Sequence, residues 1–145
     1  IQRDIEENDK ELSFAIVVCD VNYLKHVNDT YGHKAGDEYI RSSCKMIFEI
    51  FAHSPVFRVG GDEFVVVLKG SDYENRDELM KTVREQVIRN QERHVGPVVA
   101  TGISDFVPSE DKKVSEVFER ADREMYQNKE KLKKMHAGVE EHRNC

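Results

Sequence analysis

The chain is short of cysteine, of paired histidines, of surplus positive charge and of long apolar runs, and each shortage removes a class of function. Its 145 residues include three cysteines, Cys19, Cys44 and Cys145, in a number and spacing that give neither a disulfide framework nor a zinc site. Cys19 closes an apolar run and Cys44 falls in a helical stripe, so both read as buried core thiols in a reducing, cytoplasmic setting. The six histidines form neither HxxxH nor HExxH, which argues against a zinc hydrolase. Acids outnumber bases 28 to 22, a formal charge of −6. That is the wrong sign for a nucleic-acid coat, but it leaves a phosphate ligand open if metal ions bring the positive charge. No apolar run approaches the ~20 residues that span a bilayer, so no membrane contact is expected of this stretch.

What is present is enough for one compact domain, because 39% hydrophobic against 34% charged residues can bury a sizeable core. Residues 1–13 read as the exposed end of an incoming helix, 14–135 as the domain and 136–145 as a polar tail. There is no initiator Met or signal peptide, and the chain is expected to be a domain of a longer protein.

Phe14 to Cys19 is a continuous, β-branched apolar run, the pattern of a central strand, stopping at Asp20. A loop or short helix is expected over Asn22 to Tyr31. Ile40, Cys44, Ile47 and Phe51 step by four, three and four, which predicts an amphipathic helix from about Lys34. Val56–Val59 and Phe64–Leu68 flank Gly60-Gly61-Asp62-Glu63, a hairpin pattern. Leu79, Val83 and Val87 predict a helix over about 76–92, and Pro97 to Ile103 a fourth strand. Val114, Val117, Phe118, Ala121 and Met125 mark a last helix, followed by a basic run at 129–134. The order is β-α-β-β-α-β plus a helix, an α/β (α+β) ferredoxin-like arrangement with a mainly antiparallel central sheet and flanking helices. A crossover makes the first two strands parallel, so Asp20 and the Asp62-Glu63 turn should converge at one sheet edge.

Three carboxylates so placed repel one another unless a cation joins them. Magnesium binds through one or two carboxylates and leaves room for water and phosphate, which suits metal-assisted phosphoryl or nucleotidyl transfer. Each residue also has a plainer reading. Asp20 can cap a turn, Asp62 can fill a loop, and Gly60 and Gly61 can serve positive φ. Asp37 can complement a helix dipole, Asn28 can make an Asx turn, His33 can open a helix, and the basic run can be a solvated helix end.

Arg58 to Phe64 contains GGDEF, and Asp20 to Asp37 is similar to the long motif DxDxFKxxNDxxGHxxGD. Arg120-Ala121-Asp122, Met125-Tyr126 and Lys129 match a closing-helix motif. Together, in order and from Phe14 to about Lys134, they resemble the GGDEF family of diguanylate cyclases, whose domain has the nucleotide-cyclase palm fold. The resemblance implies condensation of two GTP molecules into cyclic di-GMP with release of pyrophosphate, across a homodimer in which each domain holds one GTP. It implies Mg2+ (or Mn2+) on Asp20, the Val21 carbonyl, Asp62 and Glu63, with Asp62 and Glu63 catalytic. Asn28 and Asp37, with His33 beside them, would read guanine. Backbone at Tyr23, Leu24 and Lys25, close approach at Gly60 and Gly61, and Lys129 and Lys133 would hold the nucleotide. An upstream sensory or regulatory domain is implied as well, with a membrane anchor, if any, outside this segment.

Three departures stand out. Asn22 replaces the second Asp of the long motif, and Lys133 replaces a phosphate-contacting Arg, keeping charge but losing the bidentate fork. Phe51-Ala52-His53-Ser54 replaces the RxxD product-inhibition motif. A catalytically silent GGDEF module that binds GTP or a partner protein is the alternative, and another palm-type nucleotidyltransferase is a third reading that the Asn28, His33 and Asp37 set disfavours.

Overall fold

The computed structural model describes residues 12–143, with side chains over 12–135; residues 1–11 of the expected incoming helix lie outside the described residues. In chain order the elements are β1 (Ala15–Val21), α1 (Leu24–Tyr31), α2 (His33–Ile50), β2 (Val56–Arg58), β3 (Glu63–Leu68), α3 (Gly70–Glu74), α4 (Arg76–Arg93), β4 (Val99–Asp105) and α5 (Val114–Arg143). The strands form one antiparallel sheet ordered β2-β3-β1-β4. β1 and β2 run the same way on either side of β3, as the crossover argument requires.

β1 is central because it can be buried on both faces. Ala15, Val17, Val18 and Cys19 are wholly buried and Ile16 nearly so, the signature of a strand covered above and below. The strand does not stop at Asp20. The Val21 amide donates to the Asp62 carbonyl (2.8 Å) and the Asn22 amide to the Val98 carbonyl (2.8 Å), so the ladder carries Asp20 inside the sheet, opposite Glu63 on one side and Ala100 on the other.

The α2 stripe is realised with Ile47 and Phe51 fully buried and Ile40 and Cys44 at its partly exposed margin. Cys44 is therefore a half-buried thiol, whereas Cys19 is a core one. α3, five residues long, carries too few positions to show a helical period. It holds Asp72, buried against the α2–β2 connection, where it accepts from the Ser54 hydroxyl (2.5 Å) and the His53 amide (3.1 Å).

α5 crosses β4 and β1 with Val117, Ala121, Met125 and Leu132 buried. Gly102 on β4 permits this approach: a Cβ there would overlap the Ala121 carbonyl oxygen and the Met125 amide nitrogen. The helix is then fastened along its length. Arg120 donates to both carboxylate oxygens of the buried Asp111 (2.6 and 2.7 Å) and to the Asp105 carbonyl (2.8 Å). The Thr101 amide donates to the Asn128 side chain (2.9 Å), and Gln91 to the Leu132 carbonyl (3.0 Å). The basic run lies within this helix, which continues to Arg143; lysine and glutamate sustain a helix and no proline interrupts it. Among the described residues no helix is long and apolar enough to cross a membrane.

Candidate functional site

One edge of the sheet gathers the carboxylates. Asp20 and Glu63 are direct cross-strand partners, so their side chains stand on the same face, and Asp62 sits at the turn immediately before Glu63. α5 covers that face and brings Lys129 within 3.5 Å of Asp20 Oδ2. The other Asp20 oxygen, Oδ1, is buried with no hydrogen-bond partner. Burial pushes the Asp20 carboxyl up, Lys129 pulls it back, and Asp62 and Asp122 push it further. Glu63 is also raised, first by burial and then by the negative charges of Asp122, Asp20 and Asp62. Cys19, wholly buried beside Asp20 and Glu63, has its thiol pushed far up and is inert core.

Lone acceptors and mutually repelling carboxylates lack positive charge. A divalent cation fits this donor set, because its charge would satisfy the orphaned Asp20 oxygen and relieve the repulsion. Among the described residues no three His, Cys, Asp or Glu side chains are gathered closely enough to hold a metal ion by themselves. Magnesium does not require such a set, since it keeps waters and phosphate oxygens in its shell.

Beside the carboxylates the chain turns sharply. Tyr23 takes left-handed backbone angles (φ 66°, ψ 14°) where α1 begins, and no side chain caps that helix. The first intrahelical bond there runs from the Val27 amide to the Tyr23 carbonyl (3.0 Å), so the preceding amides at Leu24 and Lys25 have no intrahelical partner. Such unpaired amides at a helix N-terminus suit an anion. A bulky residue in the left-handed region is strained, and strain of this kind clusters at functional turns. The Tyr23 hydroxyl donates to Gln91 (3.1 Å), and Tyr39 ties the same corner by donating to the Asn22 carbonyl (2.8 Å) and accepting from the Val98 amide (3.0 Å).

Gly60 and Gly61 do not adopt positive φ; the positive-φ glycines are Gly32, Gly70 and Gly96. The positive-φ reading of the GG pair is thereby corrected. A Cβ on Gly60 would meet only the Glu63 Cβ at 3.7 Å, and one on Gly61 would meet nothing within 4 Å. What the pair leaves is open space above the turn. Arg58 shapes that turn by donating to the Gly60 and Gly61 carbonyls (3.1 and 2.7 Å).

The Asn28 side chain lies against the backbone of Gly36, where a Cβ would overlap its Oδ1, and so reaches the segment carrying His33 and Asp37. Both of these are exposed on α2, one turn apart. Asp37 is the fifth residue of that helix, beyond its first turn; the dipole reading, which needs a first-turn acid, loses its basis. Lys133 is not drawn to the carboxylates: it is half-exposed and lies 4.0 Å from Glu130 on its own helix.

Two residues beyond the expected set belong here. Asp122 adds a fourth negative charge facing Glu63 and Asp20; its place in the closing-helix motif was the available signal, and the packing of α5 shows where it faces. Asn22 is 2% exposed, with both side-chain polar atoms unpartnered; its place in the DxD-like motif was the available signal. Two grooves lie elsewhere. One of about 530 Å³ runs between α4 and α5, lined by Arg84, Glu124, Lys131 and Met135 among others. Another of about 480 Å³ is lined by Tyr23, Tyr31, Tyr39 and His94. Neither is lined by a carboxylate of the sheet edge.

Comparison with known proteins agrees with this architecture. The family described as "Diguanylate cyclase, GGDEF domain" matches residues 1–135. Diguanylate cyclase DgcZ of Escherichia coli is 31% identical over 128 residues, 85% of this chain and 43% of that protein. Diguanylate cyclase A of Treponema denticola is 27% identical over 127 residues, covering 84% and 34% respectively. The chain thus spans less than half the length of these relatives. Among solved structures, the active GGEEF domain of a Vibrio cholerae diguanylate cyclase superposes with a TM-score of 0.73 at 22% identity, covering 90% of this chain and 88% of that one. The GGDEF domain of DgcB from Caulobacter crescentus, in complex with c-di-GMP, gives 0.67 at 23% identity, covering 88% and 81%; these two likenesses concern the fold. With the family matched across residues 1–135 and its signature at the sheet edge, the chain belongs to the GGDEF diguanylate cyclase family.

Proposed function

We propose that this domain is a working diguanylate cyclase, condensing two GTP into cyclic di-GMP and pyrophosphate across a homodimer. The observation that carries the reading is the pairing of Asp20 with Glu63 on adjacent strands, Asp62 at the turn, and Lys129 facing Asp20. A silent module would have no need to keep half-buried, mutually repelling carboxylates, which cost stability without a ligand.

A divalent cation, Mg2+ or Mn2+, held by Asp20, the Val21 carbonyl, Asp62 and Glu63, would neutralise charge on the phosphates. The remaining work falls to the chain. Backbone at the start of α1, at Tyr23, Leu24 and Lys25, and the Lys129 ammonium receive the β- and γ-phosphates, with Lys133 one turn further out. Asn28 and Asp37 meet the donor and acceptor edge of guanine, with His33 alongside. The open space over Gly60 and Gly61 admits the nucleotide to the turn. Glu63, whose carboxyl is raised from its ordinary value, is placed to take the proton from the attacking 3′-hydroxyl. That oxygen then bonds to the α-phosphorus of the partner's GTP and pyrophosphate leaves. One chain carries half of the reacting pair, so two must face each other. A sensory or regulatory segment in the full-length protein would control that encounter.

The test is substitution that preserves shape. Asp62→Asn and Glu63→Gln should each abolish cyclic di-GMP formation while leaving the melting temperature equal to or slightly above the parent's, because a repelling charge has gone. Full activity in both variants contradicts the proposal.

A further inference from the structure

We propose that Lys129 is a built-in counter-ion for the carboxylate site that must change partners when substrate arrives, so that divalent metal and triphosphate bind only weakly apart and strongly together. This rests on the metal-and-triphosphate reading above. Three observations carry it. First, Lys129 Nζ lies 3.5 Å from Asp20 Oδ2, the side chains being 26% and 14% exposed, so the ammonium occupies the position from which a cation would address Asp20. Secondly, Asp20 Oδ1 is buried and unpartnered, so one lysine satisfies only half of the carboxylate. Thirdly, the backbone beneath Lys129 is fixed. Asn128 is bonded to the Thr101 amide and the Leu132 carbonyl to Gln91, and α5 rests directly on Gly102. Any exchange must therefore be a rotation of the lysine stem, and four methylenes allow the ammonium to sweep several ångströms.

The coupling follows from charge. A divalent ion approaching Asp20 alone meets the Lys129 ammonium, and like charges in a partly buried site repel strongly. A triphosphate alone must draw Lys129 away from Asp20, stranding a half-buried carboxylate beside Glu63, Asp62 and Asp122. When both arrive, the metal takes the Asp20 carboxylate and the phosphates take the lysine, so neither Asp20 nor Lys129 is left without an opposite charge. Linkage makes the effect reciprocal: whatever factor the nucleotide adds to metal affinity, the metal adds to nucleotide affinity.

Mn2+ binding, followed by the loss of its free-ion electron paramagnetic resonance signal beyond the loss that the nucleotide analogue causes without protein, tests this without turnover. It is measured with and without a non-hydrolysable GTP analogue, on the parent domain and on Lys129→Met and Lys129→Gln. The expected result is that both variants bind Mn2+ about tenfold more tightly than the parent when no nucleotide is present. The enhancement of Mn2+ affinity by the analogue should shrink by a similar factor. If Mn2+ binds the parent with the analogue, but its nucleotide-free affinity is the same or weaker in folded Lys129→Met and Lys129→Gln, the exchange is refuted and the metal reading stands. If the parent binds no Mn2+ under either condition, the metal reading and the exchange both fall.

Discussion

Replacing Gly102 by alanine should loosen the whole site without touching any carboxylate. A Cβ at this position would overlap the Ala121 carbonyl oxygen and the Met125 amide nitrogen, and would stand 2.9 Å from the Glu124 carbonyl carbon. These are backbone atoms, so no rotamer change relieves the overlap. Nor can α5 slide away freely, since Arg120, Asn128 and Leu132 pin it at successive points. Over-packing against a fixed partner costs about 3 kcal/mol. Removing a strand glycine returns about 0.5–1 kcal/mol, leaving a net loss of about 2 kcal/mol. For a chain of this size that is roughly 6–10 °C in melting temperature, or about 1 M in urea midpoint at unchanged slope. The displaced helix would also draw Lys129 from Asp20 and weaken nucleotide binding. Urea unfolding followed by circular dichroism reads the first effect. A midpoint at or above the parent's would refute the close-packing argument.

Other outcomes follow from the same geometry. Asp37→Ala should lower affinity for GTP by about 30- to 1000-fold, the weight of ~2–4 kcal/mol for a lost charged acceptor, with little change for ATP; calorimetry with both nucleotides reads the ratio, and equal losses would remove Asp37 from base recognition. Cyclic di-GMP should not bind tightly at residues 51–54, because Phe51 is wholly buried and Ser54 is held by Asp72; submicromolar calorimetric binding to the metal-free domain that is lost on changing His53 or Ser54 would contradict this. Arg120 holds the Asp111 carboxyl below its ordinary value, so that pair stabilises the fold above the unfolded-state pKa of about 4. Its contribution is lost as pH falls through the lowered folded value. Asp111→Asn should therefore cost about 2 kcal/mol near pH 7 and progressively less in acid unfolding experiments below about pH 4; a pH-independent difference would show that the charge plays no part.

The elements that place the carboxylates were legible because their signals are local. A short, β-branched apolar run bounded by polar residues reads as a doubly covered strand, and a glycine turn between two such runs reads as a hairpin, which together put Asp20 beside Asp62 and Glu63. The strand's true end was not legible: Val21 and Asn22 join the ladder through the Asp62 and Val98 carbonyls, partners distant in sequence. The roles of Asp122 and Lys129 at Asp20 depend on how deeply α5 sinks onto the sheet. That depth is set by Gly102, a residue that in isolation reads only as a weak point in a strand. Tyr23 shows a third limit of pattern reading. Nothing in its side chain announces a left-handed backbone, and the conformation follows from the ties made by its neighbours Asn22, Tyr39 and Val98.

The central claim meets its most direct test in a single incubation of the purified domain with GTP and Mg2+, with products resolved by chromatography over a range of protein concentrations. Cyclic di-GMP and pyrophosphate should accumulate at a rate per chain that rises with protein concentration, because two chains must face each other, and no product should form in Glu63→Gln. Absence of cyclic di-GMP from folded parent protein at the highest concentration, with GTP still bound, would contradict the account and favour a silent binding module.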